Sequence, residues 1–242
     1  ALTIEKAEGE VQDDARGAFE AAIDRTSPGG VLLLPELAAT PTNLAAISDL
    51  LAAAEDRAPA LTVVGLYHAE AAEDPGSEEL APYVNEAVVL GPAGRELWRH
   101  RKLTYSEGQV EIEGRELDLV EHIRLGDSLA VLQSPLGTIA IVICLDAFQP
   151  DSRERLLRSP IELLLVPSLS PSVHRHTDSL QHLVQALAGV AFVCNRSPRP
   201  PGPGRSRWND AKNRSFCAAQ REHLPPLELL EEDATFVLRV DG

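Results

Sequence analysis

Near the start of the chain, segments with hydrophobic residues at helical spacing alternate with short uninterrupted hydrophobic runs. Apolar positions at helical spacing predict one helix around Val11–Ile23 and a second around Leu44–Ala54. Each is followed by an apolar run, at Val31–Leu34 and at Leu61–Leu66, which indicates a strand buried on both faces. The order helix, strand, helix, strand is typical of a layered α/β fold.

The middle of the chain carries strands separated by tight turns. Val84–Leu90 and Arg95–His100 flank a Gly-Pro-Ala-Gly turn, and Leu129–Gln133 and Thr138–Cys144 flank a Ser-Pro-Leu-Gly turn. Both patterns predict hairpins, which imply a mixed sheet in an α/β chain. The elements that we expect beyond them are a short helix at Asp151–Leu157, a strand at Ile161–Val166, a helix at Thr177–Leu187, and strands at Val190–Cys194 and Phe236–Val240.

Length and composition favour one acidic domain over residues 1–242. A hydrophobic content of 44% suffices for a large core, and the net charge of −15 disfavours nucleic acid and anionic membranes as partners. No apolar run reaches the roughly 18 residues that would span a bilayer. The three cysteines, one of them within an apolar run, are typical of a reducing compartment, so we expect a cytoplasmic protein.

Three reactive side chains each follow a predicted strand. Glu36 comes after the first buried run, Lys102 after Arg95–His100, and Cys144 ends the second hairpin. Ligands of α/β sheets bind beyond the carboxyl ends of strands. A thiolate nucleophile, a carboxylate base and an ammonium that stabilises charge on a substrate oxygen would form a nucleophilic site there. Taken singly, each residue also has a structural explanation, such as a buried core thiol or a solvated charge.

The segments around these residues resemble a known family. Leu34-Pro35-Glu36-Leu37, His100-Arg101-Lys102-Leu103 and Ile143-Cys144-Leu145-Asp146 are similar to the three signature segments of the nitrilase superfamily, the carbon–nitrogen hydrolases, and occur in the same order. The resemblance extends from about Val11 to Asn195. It implies an αββα layered sandwich with a mixed central sheet and a homodimer or higher homo-oligomer.

The resemblance also implies roles for the three residues. Glu36 would be the general base, Cys144 the nucleophile that forms a thioester, and Lys102 the cation beside the oxyanion, helped by the backbone N–H of Leu145. We expect the Lys102 charge to lower the pKa of the Cys144 thiol towards neutrality. The substrate would be a small molecule, and no cofactor is implied.

Many members carry a second glutamate between the lysine and the cysteine that helps to position the substrate. Of the glutamates that follow Lys102, we favour Glu107 and then Glu111, although an acidic loop with a glycine is also typical of solvated surface. Leu145 and Asp146, which follow the cysteine, are the other candidates for positioning the substrate.

The histidines of the later part of the chain do not predict a metal site. His174 and His176 fall in a Ser/Pro-rich segment that we interpret as a loop, and His182 lies six residues further on, off the i+3 and i+4 spacing of one helical face. We therefore expect no metal. The loop is an alternative candidate for the rim of a substrate pocket.

The leading hypothesis is a cofactor-independent hydrolase of non-peptide C–N bonds in an amide or carbamoyl compound, with nitriles as a less favoured substrate. Two alternatives stay open. The chain has no methionine, even at position 1, so its N-terminus has been processed or it is part of a longer chain. Within a longer chain it could be a non-catalytic regulatory module, or a glutaminase domain that supplies ammonia to a synthetase.

Overall fold

The uninterrupted apolar runs of the sequence become the central strands of two sheets. The computed structural model of the chain describes residues 17, 19–26, 28–70, 83–112, 115–170, 174–195 and 216–219. Its helices are α1 (residues 19–25), α2 (Pro41–Ala54), α3 (Pro150–Leu157) and α4 (His174–Leu187). Its strands are β1 (Val31–Leu33), β2 (Leu61–Gly65), β3 (Ala69–Glu70), β4 (Tyr83–Val84), β5 (Glu86–Leu90), β6 (Glu96–Arg101), β7 (Glu107–Ile112), β8 (Arg115–Val120), β9 (Val131–Ser134), β10 (Gly137–Ile141), β11 (Leu163–Ser168), β12 (Val190–Asn195) and β13 (Phe216–Ala219).

Both large sheets mix parallel and antiparallel pairs. The first has the strand order β1-β2-β5-β6, in which β1 and β2 run parallel and the other neighbours antiparallel. The second has the order β13-β12-β11-β10-β9, with parallel pairing of β10, β11 and β12 and antiparallel strands at both edges. The predicted mixed arrangement is therefore present in each half of the described chain.

Three apolar clusters set the order of the layers. One packs α1 and α2 against the first sheet, through residues such as Phe19, Leu51 and Val64. Another joins the two sheets face to face, through residues such as Val63 and Ile141. The third cluster packs helices α3 and α4 against the second sheet. Helix, sheet, sheet and helix follow one another, so the αββα sandwich expected from the resemblance is confirmed.

Local sequence explains the helix that covers the first sheet. Thr40 caps α2 by accepting a hydrogen bond from the Asn43 backbone N–H at 3.1 Å, and Pro41 lies in the first turn, where no partner for its nitrogen is needed. Ile47, Leu51 and Ala54 are buried on one face, as the helical spacing predicts.

Two predictions from the sequence were wrong in detail. The acidic segment after Lys102, interpreted as a loop, contains the antiparallel hairpin β7–β8. Helix α4 begins at His174, so the histidines assigned to a loop lie in its first turn. The predicted strand Phe236–Val240 lies outside the described residues. Of the helices in the described part of the chain, none is long and apolar enough to cross a membrane.

Candidate active site

Glu36 is placed by a tight turn directly after the first strand. The Leu34 N–H donates to the Val63 carbonyl, which continues the pairing of β1 and β2 up to this turn. Leu37 then adopts a left-handed conformation with a φ of 53°. Gly65 lies against the turn so closely that a Cβ there would be 2.2 Å from the Pro35 carbonyl oxygen. The turn directs the Glu36 carboxylate into the protein, where the residue is 3% exposed.

Lys102 lies just beyond β6 and is 1% exposed. Its backbone N–H donates to the Asn85 carbonyl at 2.9 Å, which fixes the residue beside the start of β5. The ammonium donates to Glu36 Oε1 at 2.8 Å, to Glu121 Oε2 at 2.7 Å and to Ser106 Oγ at 2.9 Å. Two of the three sequence candidates are thus in direct contact.

Glu121 is a partly buried carboxylate in contact with Lys102, and the sequence pattern did not single it out. It follows β8, and its backbone N–H donates to the Ser106 carbonyl at 2.8 Å, which closes the base of the β7–β8 hairpin beside Lys102. The Asn85 amide donates to Glu36 Oε1 at 2.8 Å and to Glu121 Oε1 at 2.7 Å, so it links both carboxylates. His68 Nε2 lies 2.9 Å from Glu121 Oε1.

Cys144 is supplied by the second sheet. It lies beyond β10, where a short 3₁₀ helix, Cys144–Phe148, begins. Its φ of 47° is in the left-handed region, which is strained for a residue with a side chain. Ser168 Oγ, at the end of β11, donates to Cys144 Sγ at 3.4 Å. The next backbone N–H, that of Leu169, donates to Glu36 Oε2 at 3.0 Å, so adjacent residues contact Cys144 and Glu36.

Asp146 ties the cysteine turn to the lysine segment. Its carboxylate is fully buried and accepts from the backbone N–H of Leu103 at 3.1 Å and of Ile143 at 3.2 Å. These contacts are with the backbone next to Lys102 and Cys144, and the role of Asp146 in positioning the substrate stays a prediction. Leu145 follows the nucleophile in the 3₁₀ helix and is partly buried.

Glu107 and Glu111 both lie in β7, on the hairpin that follows Lys102. Glu107 begins β7 and is exposed, and Glu111 is paired with Glu116 in the register of β7 and β8. The described side chains that hydrogen-bond the Lys102 ammonium are Glu36, Ser106 and Glu121. The backbone pairing that closes the β7–β8 hairpin brings Glu121 to Lys102, although other glutamates come sooner after the lysine in the sequence.

Burial and charge oppose each other at the ionisable groups of the site. Burial alone would lower the pKa of Lys102, but the charges of Glu36 and Glu121 hold that pKa above its ordinary value. Burial likewise would raise the pKa of Glu121, yet hydrogen bonds from His68 and Lys102 and the lysine charge keep it well below its usual range. The ammonium and the Glu121 carboxylate are therefore both charged at neutral pH.

The thiol behaves differently from the sequence expectation. Burial and the negative charge of Glu36 raise the pKa of Cys144 to about 12, and the opposing effect of Lys102 does not compensate. The predicted shift towards neutrality was therefore wrong in sign. Lys102 interacts with two carboxylates, so its charge is largely neutralised before it acts on the sulfur. At neutral pH the Cys144 side chain is therefore a protonated thiol.

Of the later histidines, the structure describes the side chains of His176 and His182, and these lie in different surroundings. His176 is 1% exposed and contacts the Phe148 ring edge-on, whereas His182 is exposed and contacts the Asp178 carbonyl on its own helix. Within the described ranges, no group of three or more His, Cys, Asp or Glu residues is arranged to hold a metal ion.

A carboxylate, an ammonium and a cysteine lie at the adjoining ends of the two sheets, which is the arrangement that the sequence resemblance leads us to expect. The family profile described as carbon-nitrogen hydrolase matches residues 20–208. The chain therefore belongs to the carbon–nitrogen hydrolase family, and the resemblance to the nitrilase superfamily is confirmed. No curated protein matches the chain significantly.

Solved structures share the fold at low sequence identity. A glutamine-dependent NAD⁺ synthetase from Acinetobacter baumannii superposes with a TM-score of 0.60 at 17% identity, over 88% of this chain and 39% of the synthetase. An amidase from Nesterenkonia sp. superposes with a TM-score of 0.53 at 19% identity, over 79% of this chain and 72% of the amidase. A variant of that amidase, with acrylamide added to its active-site cysteine, gives a TM-score of 0.52 at 17% identity, over 77% of this chain and 72% of that one.

Proposed function

We propose that the protein hydrolyses the C–N bond of a small amide through a thioester on Cys144. The observation that carries the proposal is the contact of Glu36 with Lys102 at 2.8 Å, beside the Cys144 sulfur whose ionisation both groups influence. Membership of the carbon–nitrogen hydrolase family and the similarity to an amidase support it.

In the first half of the proposed reaction, Glu36 takes the thiol proton as the sulfur attacks the amide carbon. An S–C bond forms, and the carbonyl electron pair moves onto the oxygen, where the Lys102 ammonium and the Leu145 N–H stabilise it. The carbonyl then re-forms as the C–N bond breaks. Protonated Glu36 gives its proton to the departing nitrogen, which leaves as ammonia or an amine.

In the second half, a water molecule replaces the amine. Glu36 takes a proton from this water, whose oxygen attacks the thioester carbon. Collapse of the tetrahedral adduct breaks the C–S bond and releases the carboxylic acid, and the proton on Glu36 returns to the sulfur. Because the resting thiol has a pKa of about 12, a base next to it is required for attack at neutral pH.

Ammonia release from a panel of simple amides, glutamine and a nitrile tests the proposal. We expect wild-type protein to release ammonia from at least one amide, and Cys144→Ala to lose at least about a thousandfold in kcat. Cys194→Ala, a thiol in β12, is the matched control and should retain activity. Undiminished turnover by Cys144→Ala would refute the thioester mechanism, whereas a wild-type protein that releases ammonia from none of these substrates would favour the non-catalytic alternative.

A second candidate is supported by the similarity to the glutamine-dependent synthetase. The superposition on that synthetase covers 88% of this chain but only 39% of the synthetase. A glutaminase that supplies ammonia to an ATP-using domain or partner is consistent with this overlap. A kcat/KM for glutamine that exceeds the value for every simple amide would favour it, and glutamine inert beside a turned-over amide would exclude it.

A further inference from the structure

Two buried polar side chains next to the nucleophile have no part in the mechanism above. Ser168, at the end of β11, is fully buried, and its hydroxyl lies 3.4 Å from Cys144 Sγ. His176, in the first turn of α4, is 1% exposed, and its Nε2 lies 3.4 Å from the same hydroxyl oxygen. Sulfur, hydroxyl and imidazole therefore form a continuous line of contacts leading away from the nucleophile.

This line is built into the packing of the second sheet and its helix. Burial of a hydroxyl or an imidazole is unfavourable unless each finds a hydrogen-bond partner. The His176 ring packs edge-on against Phe148, with centroids 4.9 Å apart and an interplanar angle of 83°. Phe148 belongs to the same 3₁₀ helix as Cys144, so the turn that carries the nucleophile also orients the imidazole.

The chemistry of a thiolate fixes the direction of the hydrogen bonds. A thiolate only accepts, so the single hydroxyl proton of Ser168 must point at the sulfur when the charge forms. The Ser168 oxygen is then an acceptor towards His176, which requires the proton-bearing nitrogen of the imidazole to be Nε2. The chain of donors runs from Nε2–H to Oγ and from Oγ–H to Sγ, and no proton is transferred along it.

We propose that Ser168 and His176 form a hydrogen-bond relay that stabilises the negative charge developing on the Cys144 sulfur. The inference rests on the proposed function, because it assigns these residues to the attack step of the same site. Ser168 touches the reacting atom, whereas His176 is a positioning residue that acts through Ser168.

The electrostatics of the site explain why such a relay is needed. Glu36 is neutral once it has taken the thiol proton, and the Lys102 ammonium remains in contact with Glu121, so the charge that forms on the sulfur needs further stabilisation. Donors aligned in advance stabilise a developing anion without adding a charge that would compete for the carboxylates. Proton removal by Glu36 and charge stabilisation by Ser168 are then separate tasks.

The pH dependence of iodoacetamide alkylation at Cys144 tests the relay without knowledge of the substrate. Peptide mass mapping follows Cys144 separately from Cys194 and Cys217 between about pH 6 and pH 10. Loss of a donor to the thiolate raises the thiol pKa, so the profile should move to higher pH. At a fixed pH on its rising limb, Ser168→Ala should react about tenfold more slowly than wild type.

Variants of His176 separate a hydrogen-bonding role from a packing role. His176→Phe keeps a ring against Phe148 but removes the donor, and should slow alkylation about threefold or more. His176→Gln restores a donor and should recover part of the loss. Because His176 acts through Ser168, the double variant Ser168→Ala/His176→Phe should be no slower than Ser168→Ala alone.

Two control variants account for non-specific effects. Ser152→Ala removes a buried hydroxyl from α3, and His182→Phe changes an exposed histidine on α4, so both should react like wild type. Alkylation profiles of Ser168→Ala and His176→Phe that superimpose on the wild-type profile would overturn the relay, even if Cys144 proves essential for amide hydrolysis. The proposed function fails separately, if Cys144→Ala still hydrolyses amides.

Discussion

At the scale of single residues, the site is dominated by one cation held between two anions. The Lys102 ammonium contacts Glu36 and Glu121 at 2.8 and 2.7 Å, and Asn85 donates to both carboxylates. Removal of one partner from a buried ion pair is unfavourable, because the charge of the other partner then has no water to solvate it. The arrangement fixes the base and the cation before any substrate arrives.

We expect Glu121→Gln to damage both stability and catalysis. The substitution removes the negative charge from a buried cluster, so the free energy of unfolding should fall by about 3 kcal/mol and kcat by about tenfold or more. Chemical denaturation and amide turnover measure the two effects. Glu107→Gln, at an exposed position of the same hairpin, is the control, and equal effects of both variants would contradict the role given to Glu121.

At the scale of elements, the position of Glu36 depends on the close approach of its turn to β2. A Cβ at Gly65 would lie 2.2 Å from the Pro35 carbonyl oxygen and 2.7 Å from Glu36 Cα, both of which are backbone atoms. Backbone cannot rotate away as a side chain does. The absence of a side chain at residue 65 is therefore what allows the carboxylate to reach Lys102.

Gly65→Ala should displace the Glu36 turn from β2. We expect a loss of at least about 2 kcal/mol in the free energy of unfolding, together with a loss of activity larger than the fall in folded population explains. Gly91→Ala is a matched control, since a Cβ there would meet only the Leu97 side chain at the ordinary distance of 3.5 Å. Full activity of Gly65→Ala would show that the close approach is dispensable.

Local pattern predicts some elements of this chain well and others poorly. The buried run of β2 and the apolar face of α2 are visible in sequence because each is defined by its own residues. Glu36, Lys102 and Cys144 could be selected because each follows a predicted strand and lies in a segment that resembles a signature segment of the family. Glu121 could not, because its place beside Lys102 is created by closure of the β7–β8 hairpin, a contact between residues distant in sequence.

At the scale of the whole molecule, the site exists only where the two sheets meet. Glu36 and Lys102 follow strands of the first sheet, whereas Cys144 and Ser168 follow or end strands of the second. The apolar cluster between the sheets, which includes Val63 and the nucleophile itself, sets the distance between the halves. Packing of this layer should therefore matter to catalysis beyond its contribution to stability.

Two neighbouring valines allow the effect of inter-sheet packing on catalysis to be measured. Val63 and Val64 are both fully buried in β2, but Val63 faces the other sheet and Val64 faces the helices. We expect Val63→Ala and Val64→Ala each to cost about 2–3 kcal/mol. Amide turnover under conditions where both variants are folded should fall further for Val63→Ala. Equal activities would mean that the inter-sheet layer does not control the geometry of the site.

The closure of both sheets over the sulfur also bears on the chemical durability of the protein. Peroxide and other oxidants attack thiolates, and a thiol whose pKa is raised to about 12 is almost entirely protonated at neutral pH. We therefore expect the Cys144 thiol of the folded protein to resist sulfenic acid formation. Unfolding returns the thiol to an ordinary pKa and to water, so for this chain loss of structure is also loss of protection against oxidation.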